Sequence, residues 1–196
     1  MRGLELLHLV KYFFKVDAPN TQTSKNERAA IERYAKDANL AIEIGVFEGV
    51  NTVVIGQHIK PAGKLYGIDP FFKGKLGVCF HKYVAKLNLK RHKVNKKVVL
   101  IEKLSGDAIS DVPASCDFIF IDGDHSYDGI KKDWEQYSLK VRPGGIIALH
   151  DTTVPEFDPG RVALGSIAFF KDVIVHDKSF EKVETIDSLN IMRRIS

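Results

Sequence analysis

A run of four large apolar residues, from Phe118 to Ile121, limits the fold of this chain most, because the polarity changes completely at its end. An apolar run of this length, bounded by polar residues, is typical of a buried strand. Asp122, Asp124 and His125 follow it directly. The stretch F-I-F-I-D-G-D-H therefore predicts a buried strand that ends in chemically active side chains.

The other apolar runs alternate between strand-like and helix-like periods, which is typical of α/β proteins. Leu4, Leu7, Val10 and Phe14 would share one face of a first helix, and the capping-box pattern S-K-N-E opens a second helix that reaches about residue 38. Strands are expected at 40–45, 64–69, 97–103, 116–122, 144–151, 180–186 and 189–195. The pattern predicts a doubly wound, mostly parallel sheet of seven strands, with helices on both faces and an antiparallel C-terminal hairpin strand.

Composition favours one domain without an extreme surface. The chain has 196 residues, 44% of them hydrophobic, and a net charge of +4 from 29 basic and 25 acidic residues, so no polyanionic partner is required. Cys79 and Cys116 lie far apart without CxxC spacing, which fits a cytoplasmic protein without disulfides. Glu5, His8 and Lys11 interrupt the apolar N-terminus, so we expect no membrane span.

Acidic residues lie at the ends of four predicted strands, namely Glu43, Asp69, Asp122 and Asp151. In a doubly wound sheet the ligand crevice lies outside the carboxyl ends of the strands. We therefore expect these carboxylates to face one crevice, where they would favour a positively charged ligand.

The turn after the first strand has the pattern GxxxG, formed by Gly45 and Gly49, and it carries Glu48. A dinucleotide site would require GxGxxG, and an acidic residue in the turn would repel a phosphate. Asp69 can accept hydrogen bonds from two hydroxyl groups. The turn thus favours a cationic ligand with ribose hydroxyls over a nicotinamide dinucleotide, although a nicotinamide-dependent oxidoreductase stays an alternative.

Four motifs occur in a fixed order: E-I-G-x-x-x-G-x-x-T, Y-G-I-D, F-I-F-I-D-G-D-H-S-Y and R-P-G-G-I-I-A-L-H-D. Together they resemble the class I S-adenosylmethionine-dependent methyltransferases, and most of all the small bacterial O-methyltransferases related to catechol and antibiotic-sugar O-methyltransferases. The resemblance implies a Rossmann-like fold, S-adenosylmethionine as cofactor and O-methylation of a small hydroxylated substrate. It also implies one domain over 1–196, in which helices of 1–38 cover the site or form a homodimer contact and 39–196 is the catalytic core.

The resemblance implies a role for each matching residue. Asp69 would hold the ribose hydroxyls, Glu43 would support the glycine turn, and Ser105 would lie near the adenine. The full set of implied cofactor-binding residues is Glu43, Gly45, Gly49, Thr52, Asp69, Pro70, Phe71, Ser105, Gly106 and Asp122.

The resemblance also implies a divalent metal site and a catalytic base. Asp122, His150 and Asp151 would be the metal ligands; two carboxylates suit magnesium, whereas an imidazole suits manganese, iron or zinc better. His125 would be the general base on the acceptor hydroxyl, beside Asp122. Alternatively, Asp122 and Asp151 only cap strand ends, and His125 caps the following helix or stacks on adenine.

A basic stretch from Lys82 to Lys103 could bind nucleic acid, but aromatic residues for base stacking are sparse there, so we expect a solvated surface. The motif used for methylation of exocyclic base nitrogens is also absent. Oxygen on a small molecule is therefore the expected acceptor. A non-catalytic nucleoside-binding protein with the same fold is the remaining alternative.

Overall fold

The structure is a computed structural model that describes residues 4–74 and 76–196, without the side chains of residues 161 and 162. The strands in this part of the chain are β1 (Leu40–Ile44), β2 (Lys64–Ile68), β3 (Val98–Ile101), β4 (Cys116–Ile121), β5 (Val141–Leu149), β6 (Phe180–Ile186) and β7 (Leu189–Arg194). The α-helices are α1 (Leu4–Phe13), α2 (Lys25–Ala35), α3 (Val50–His58), α4 (Phe80–Arg91), α5 (Ser105–Ala108), α6 (Tyr127–Tyr137) and α7 (Gly165–Asp172).

The described strands form one sheet in the order β3-β2-β1-β4-β5-β7-β6. β1 to β5 pair in parallel, and β7 lies between β5 and β6 and pairs antiparallel with both. The predicted fold and its antiparallel hairpin strand are confirmed. The two-residue turn of this hairpin contains Asp187, whose φ of 51° is in the left-handed region that aspartate tolerates.

Apolar side chains alternate along β4 and so create two cores. Ile119 and Ile121 pack on the face covered by α6 and α7. Phe118 and Phe120 pack on the opposite face, against α2 and α3. Because consecutive strand side chains point to opposite faces, an unbroken apolar run is what a strand covered on both sides requires. The sheet is thus held rigidly, and its carboxyl edge keeps a fixed geometry.

Helix α1 forms as predicted, but its apolar face does not point inward. Leu4 is 65% exposed and Phe14, just beyond the helix, is 69% exposed. The buried residue of α1 is Tyr12, which donates a hydrogen bond to Asn88 of α4 and lies 4.3 Å below the Arg91 guanidinium. A polar anchor and a cation–π contact therefore attach α1 to α4. No helix in the described ranges is long and apolar enough to cross a membrane.

Candidate active site

A cleft of about 460 Å³ opens at the carboxyl edge of the sheet, above β1, β2 and β4. Its lining residues come from the N-terminal segment, from the turns after those strands and from the stretch that leads into α6. They are Asn20, Thr21, Gln22, Ile44, Gly45, Val46, Phe47, Val50, Asn51, Ile68, Asp69, Pro70, Phe72, Leu104, Ser105, Asp122, Gly123, Asp124 and His125. This is the position at which doubly wound sheets bind ligands.

The turn between β1 and α3 passes directly against the end of β4. Gly45 has a φ of 90°, and a Cβ at this position would lie 2.0 Å from the carbonyl oxygen of Asp122. Phe47 and Gly49 also have positive φ values, of 51° and 75°. Only a residue without a side chain fits at Gly45, so this turn exposes its backbone to the cleft.

The Asp69 carboxylate holds this turn in place. Its Oδ2 accepts hydrogen bonds from the backbone N–H groups of Val46 and Phe47, at 3.0 and 2.8 Å, and its Oδ1 accepts one from Phe71 at 2.7 Å. A carboxylate offers about four acceptor positions. One acceptor position on Oδ1 is therefore left beside the cleft, and the three bonds make Asp69 a structural clamp of the turn.

Beneath the turn lies a carboxyl group in an apolar environment. Glu43 is fully buried, and neither of its side-chain oxygens has a hydrogen-bond partner of regular geometry; the same is true of the hydroxyl of Thr52, which faces it. Burial raises the pKa of Glu43 well above its usual value, and the negative charges of Asp122 and Asp69 add to this rise. The environment beneath the turn thus favours the neutral form of the Glu43 carboxyl group.

The N-terminal segment is attached to the turn by Glu48. This buried carboxylate accepts hydrogen bonds from Asn20, His8 and His81, including contacts of 3.0 Å to His8 Nε2 and 2.8 Å to His81 Nδ1. Burial alone would raise the pKa of Glu48, but these donors lower it below its usual value. Sequence reasoning noticed Glu48 only as an acid that repels phosphate. It gave no signal that residues 20–22 line the cleft.

Phe71, which follows β2 and was expected among the cofactor-binding residues, does not line the cleft. Phe71 is buried against Val46 and Ala85, away from the cleft, whereas Pro70 and Phe72 line it. The cause is the backbone, because Phe71 has a φ of 44° and this turns its side chain into the core. Phe72 is 75% exposed and lines the cleft beside Pro70, where Phe71 was expected among the cofactor-binding residues.

The predicted cofactor residues divide into two groups. Gly45, Asp69, Pro70, Ser105 and Asp122 line the cleft, whereas a second group does not, namely Glu43, Gly49, Thr52, Phe71 and Gly106. The side chain of Ser105 contacts Asp133 of α6, which is buried, has one oxygen without a partner and has its pKa raised by burial to about 6. A protonatable carboxyl group thus lies behind Ser105.

Three side chains converge at the ends of β4 and β5. His125 Nδ1 lies 3.1 Å from Asp151 Oδ2, and His125 Nε2 lies 3.6 Å from Asp122 Oδ1. Ligand atoms of these three residues lie within 4.8 Å of one another. The hydrogen bond to Asp151 raises the pKa of His125 above its usual value, although burial opposes this rise. An imidazole with one nitrogen held by a carboxylate is the arrangement of a general base.

The backbone around this cluster is fixed from two sides. Asp151 has a φ of 52°, a left-handed conformation that aims its carboxylate at His125. Ser166 at the start of α7 donates its N–H to the carbonyl of His125 and its hydroxyl to the carbonyl of Asp151. Ser126, and not His125, caps α6, because its hydroxyl accepts the N–H of Gly129. The helix-cap alternative for His125 is therefore wrong.

His150 lies beside the two carboxylates with which the sequence grouped it, but it is buried behind the cleft. Its Nδ1 lies 2.9 Å from Asp122 Oδ1 and its Nε2 lies 3.3 Å from Glu27 Oε2. Both ring nitrogens are directed at carboxylates and the side chain is fully buried. Nδ1 also lies 3.7 Å from Asp151 Oδ2, and His125 approaches the same two carboxylates from the side of the cleft. Burial alone would lower the pKa of His150, but Asp122 and Glu27 raise it to about 10.

The strand order and the glycine turn above β1 define a Rossmann-like α/β protein with its cleft at the carboxyl edge of the sheet. Residues 42–152, more than half of the chain, match the methyltransferase domain family, and the chain belongs to this family.

Several proteins are similar to this chain in sequence or in structure. An uncharacterized protein of Acanthamoeba polyphaga mimivirus is 31% identical over 123 residues, which are 60% of this chain and 53% of the viral protein. The chain thus aligns with about half the length of that relative. The O-methyltransferase TomG from Streptomyces achromogenes, solved with SAM, superposes with a TM-score of 0.69 at 17% identity over 98% of this chain and 90% of TomG. An O-methyltransferase from Bacillus cereus, solved with SAH, gives 0.65 at 18% identity over 98% and 91%.

Proposed function

We propose that this protein transfers the methyl group of S-adenosylmethionine to a hydroxyl oxygen of a small molecule, with His125 as the general base. The observation that supports this most is the His125–Asp151 pair, which lies in the same cleft as the glycine turn. Membership of the methyltransferase family removes the oxidoreductase alternative.

The cleft suits a cationic nucleoside in shape and charge. Its floor is the bare backbone at Gly45, and Asp69 retains an acceptor position for a ribose hydroxyl. Asp122 and Asp124 also line the cleft and favour a positive charge. When bound, S-adenosylmethionine supplies a methyl group activated by a positively charged sulfur.

His125 and Asp151 would then handle the proton. Asp151 accepts the Nδ1 hydrogen of His125 and fixes the orientation of the ring, which leaves Nε2 as the proton acceptor. Nε2 would take the proton of the acceptor hydroxyl, and the oxygen of that hydroxyl would receive the methyl group that the bound sulfonium supplies. Because methyl transfer needs mainly alignment and deprotonation, this pair and a closely fitting cleft are sufficient.

A second candidate is a metal-assisted form of the same reaction. Asp122, His125 and Asp151 would hold the ion, and two oxygens with one nitrogen suit manganese or zinc better than magnesium. The ion would lower the pKa of the acceptor hydroxyl. In this form His125 is a ligand and not the base, so the two candidates exclude each other.

Calorimetry with S-adenosylmethionine and S-adenosylhomocysteine, with and without EDTA, tests the cofactor proposal. Phenols, sugars and other hydroxylated metabolites are then screened as acceptors. We expect cofactor binding that EDTA does not change. Failure of both compounds to bind would contradict the proposal.

His125→Gln tests the base. We expect turnover to fall by about 10²–10⁴-fold with nearly unchanged cofactor affinity. Since His125 must be neutral to accept a proton and its pKa is raised, wild-type activity should rise with pH through a midpoint above 6.5. His176→Gln, an exposed histidine on the 3-10 helix after α7, is the control. Loss of turnover in EDTA, restored by manganese, would overturn the base assignment and support the metal-assisted form.

A further inference from the structure

Glu27 of α2 is an acidic residue of the N-terminal segment that reaches the candidate active site from behind. It is 1% exposed. Its Oε1 accepts hydrogen bonds from the N–H and hydroxyl of Ser188, at 2.9 and 2.6 Å. Its Oε2 accepts the N–H of Ser24 at 2.6 Å and lies 3.3 Å from Nε2 of His150. One carboxylate therefore joins α2, the β6–β7 turn and the end of β5.

His150 links Glu27 to the candidate active site. Its ring lies between Glu27 and Asp122, with one nitrogen directed at each carboxylate. Ionised carboxylates only accept hydrogen bonds, so the ring must donate in both directions. The contact with Glu27 thus fixes the orientation of the His150 ring. In this orientation the Nδ1–H of His150 is directed at Oδ1 of Asp122 and holds that oxygen in place. The same Oδ1 faces Nε2 of His125, at 3.6 Å.

We infer that Glu27 is a positioning residue for methyl transfer, which orients Asp122 through His150 and thereby places the carboxylate beside His125. This inference rests on the proposed function. Partners that orient the groups of a site from outside commonly contribute about 10–100-fold to affinity or activity. Glu27 touches neither the cleft nor His125 and acts only through His150.

A purely structural role for Glu27 would look different in one respect. The bonds to Ser24 and Ser188 alone would attach α2 to the β6–β7 turn, and they do not involve the site. The bonds to Ser188 separate from the contact with His150, because both are made by Oε1 and the His150 contact is made by Oε2. Glu27→Gln keeps the side-chain size and an oxygen for Ser188, but it presents an N–H to His150 and to the N–H of Ser24. Its effect on the helix start is therefore measured against a variant that weakens the same helix start.

Turnover of Glu27→Gln is compared with that of Ser24→Ala. The control removes the cap of the same helix and its bond to Asp187, and leaves the His150 contact in place. We expect Glu27→Gln to lower kcat by about 10–100-fold with little change in cofactor affinity. Ser24→Ala should lower the melting temperature at least as much and keep kcat within about twofold, since a cap contributes mainly to helix stability. Equal kcat values for the two variants would refute the inference.

A double-mutant cycle with His150→Gln tests the route. If Glu27 acts through His150, the double variant should turn over as slowly as His150→Gln alone. Independent, multiplying losses would show that Glu27 acts by another route and would overturn the inference.

Histidine ring NMR spectra give a readout that needs no acceptor. The His125 signals should shift in Glu27→Gln and remain unchanged in Ser24→Ala; unchanged His125 signals in both would contradict the inference. Failure of the wild type to bind S-adenosylmethionine contradicts the proposed function alone, whereas normal binding with unshifted His125 signals contradicts the inference alone.

Discussion

Gly45→Ala is the substitution whose effect follows most directly from the geometry of the site. The new Cβ would lie 2.0 Å from the carbonyl oxygen and 2.7 Å from the carbonyl carbon of Asp122. Both of these are backbone atoms between two paired central strands, so no side-chain rotation relieves the overlap. The turn after β1 and the end of β4 must therefore separate.

The expected loss of stability combines two effects. A left-handed conformation costs a residue with a Cβ about 1–2 kcal/mol, and forcing an extra methyl group into a packed site costs about 1–3 kcal/mol. We expect the free energy of unfolding to fall by about 2–5 kcal/mol, the sum of these two. The shift also moves Asp122 and the turn that forms the cleft floor, so cofactor affinity should fall more than stability alone explains.

Urea unfolding and calorimetry with S-adenosylhomocysteine measure the two effects. Gly77→Ala is the matched control, because Gly77 has a φ of 71° but, among the described residues other than its chain neighbours, no atom lies within 4 Å of an added Cβ. The Gly77→Ala variant measures the loss of stability caused by a left-handed conformation alone, without an overlap of the new Cβ with backbone atoms. Gly45→Ala could lose no more stability than Gly77→Ala and bind S-adenosylhomocysteine with normal affinity. This result would contradict the reasoning that the close approach of Gly45 to Asp122 determines the geometry of the cleft.

Two further predictions concern carboxyl groups beside the cleft. Asp69→Asn should lower the free energy of unfolding by about 2 kcal/mol and cofactor affinity at least about tenfold. The reason is that an amide cannot accept all three N–H groups of the turn. An unchanged midpoint of urea unfolding would contradict the role of Asp69 in holding the turn. Asp133→Asn should stabilise the protein by about 1–3 kcal/mol above pH 6 and little near pH 4. The raised pKa means that folded Asp133 keeps its proton while the unfolded chain ionises, so stability falls as pH rises from about 4 to 6; equal effects at both pH values in thermal melts would contradict it.

The sheet could be predicted from sequence because the apolar period of each strand is local information. A strand such as β4 is covered on both sides and therefore apolar throughout, and the turn residues around it mark its ends. The strand-end residues Asp122, His125 and Asp151 could be grouped for a related reason, since parallel strands place their carboxyl ends at one edge. Their mutual distances, which bring both His125 and His150 next to Asp122 and Asp151, depend on side-chain directions that no periodicity encodes.

The buried side chain of Phe71 and the exposed apolar face of α1 have the same origin. Because Phe71 has a positive φ, its side chain is buried and that of Phe72 lines the cleft. The sequence P-F-F contains no signal that its first phenylalanine adopts a left-handed conformation. In α1 the apolar period predicts the helix, but attachment through Tyr12 to Asn88 leaves the apolar side outside. Periodicity gives an amphipathic element; the partner that it packs against is decided by long-range contacts.

Glu27 shows how one residue can satisfy a local pattern and a distant one at once. Its backbone and its bond to Ser24 complete a capping box, which is all that the sequence reveals. A capping-box glutamate uses one acceptor position for the helix start, and the remaining positions are available to whatever packs there. Here they bind Ser188 and face His150, so the same carboxylate that begins α2 supports the end of β5. Residues before β1 therefore contribute to the surroundings of the site: Asn20 and its neighbours line the cleft, and Glu27 contacts His150 behind it, both outside the 42–152 region that matches the family.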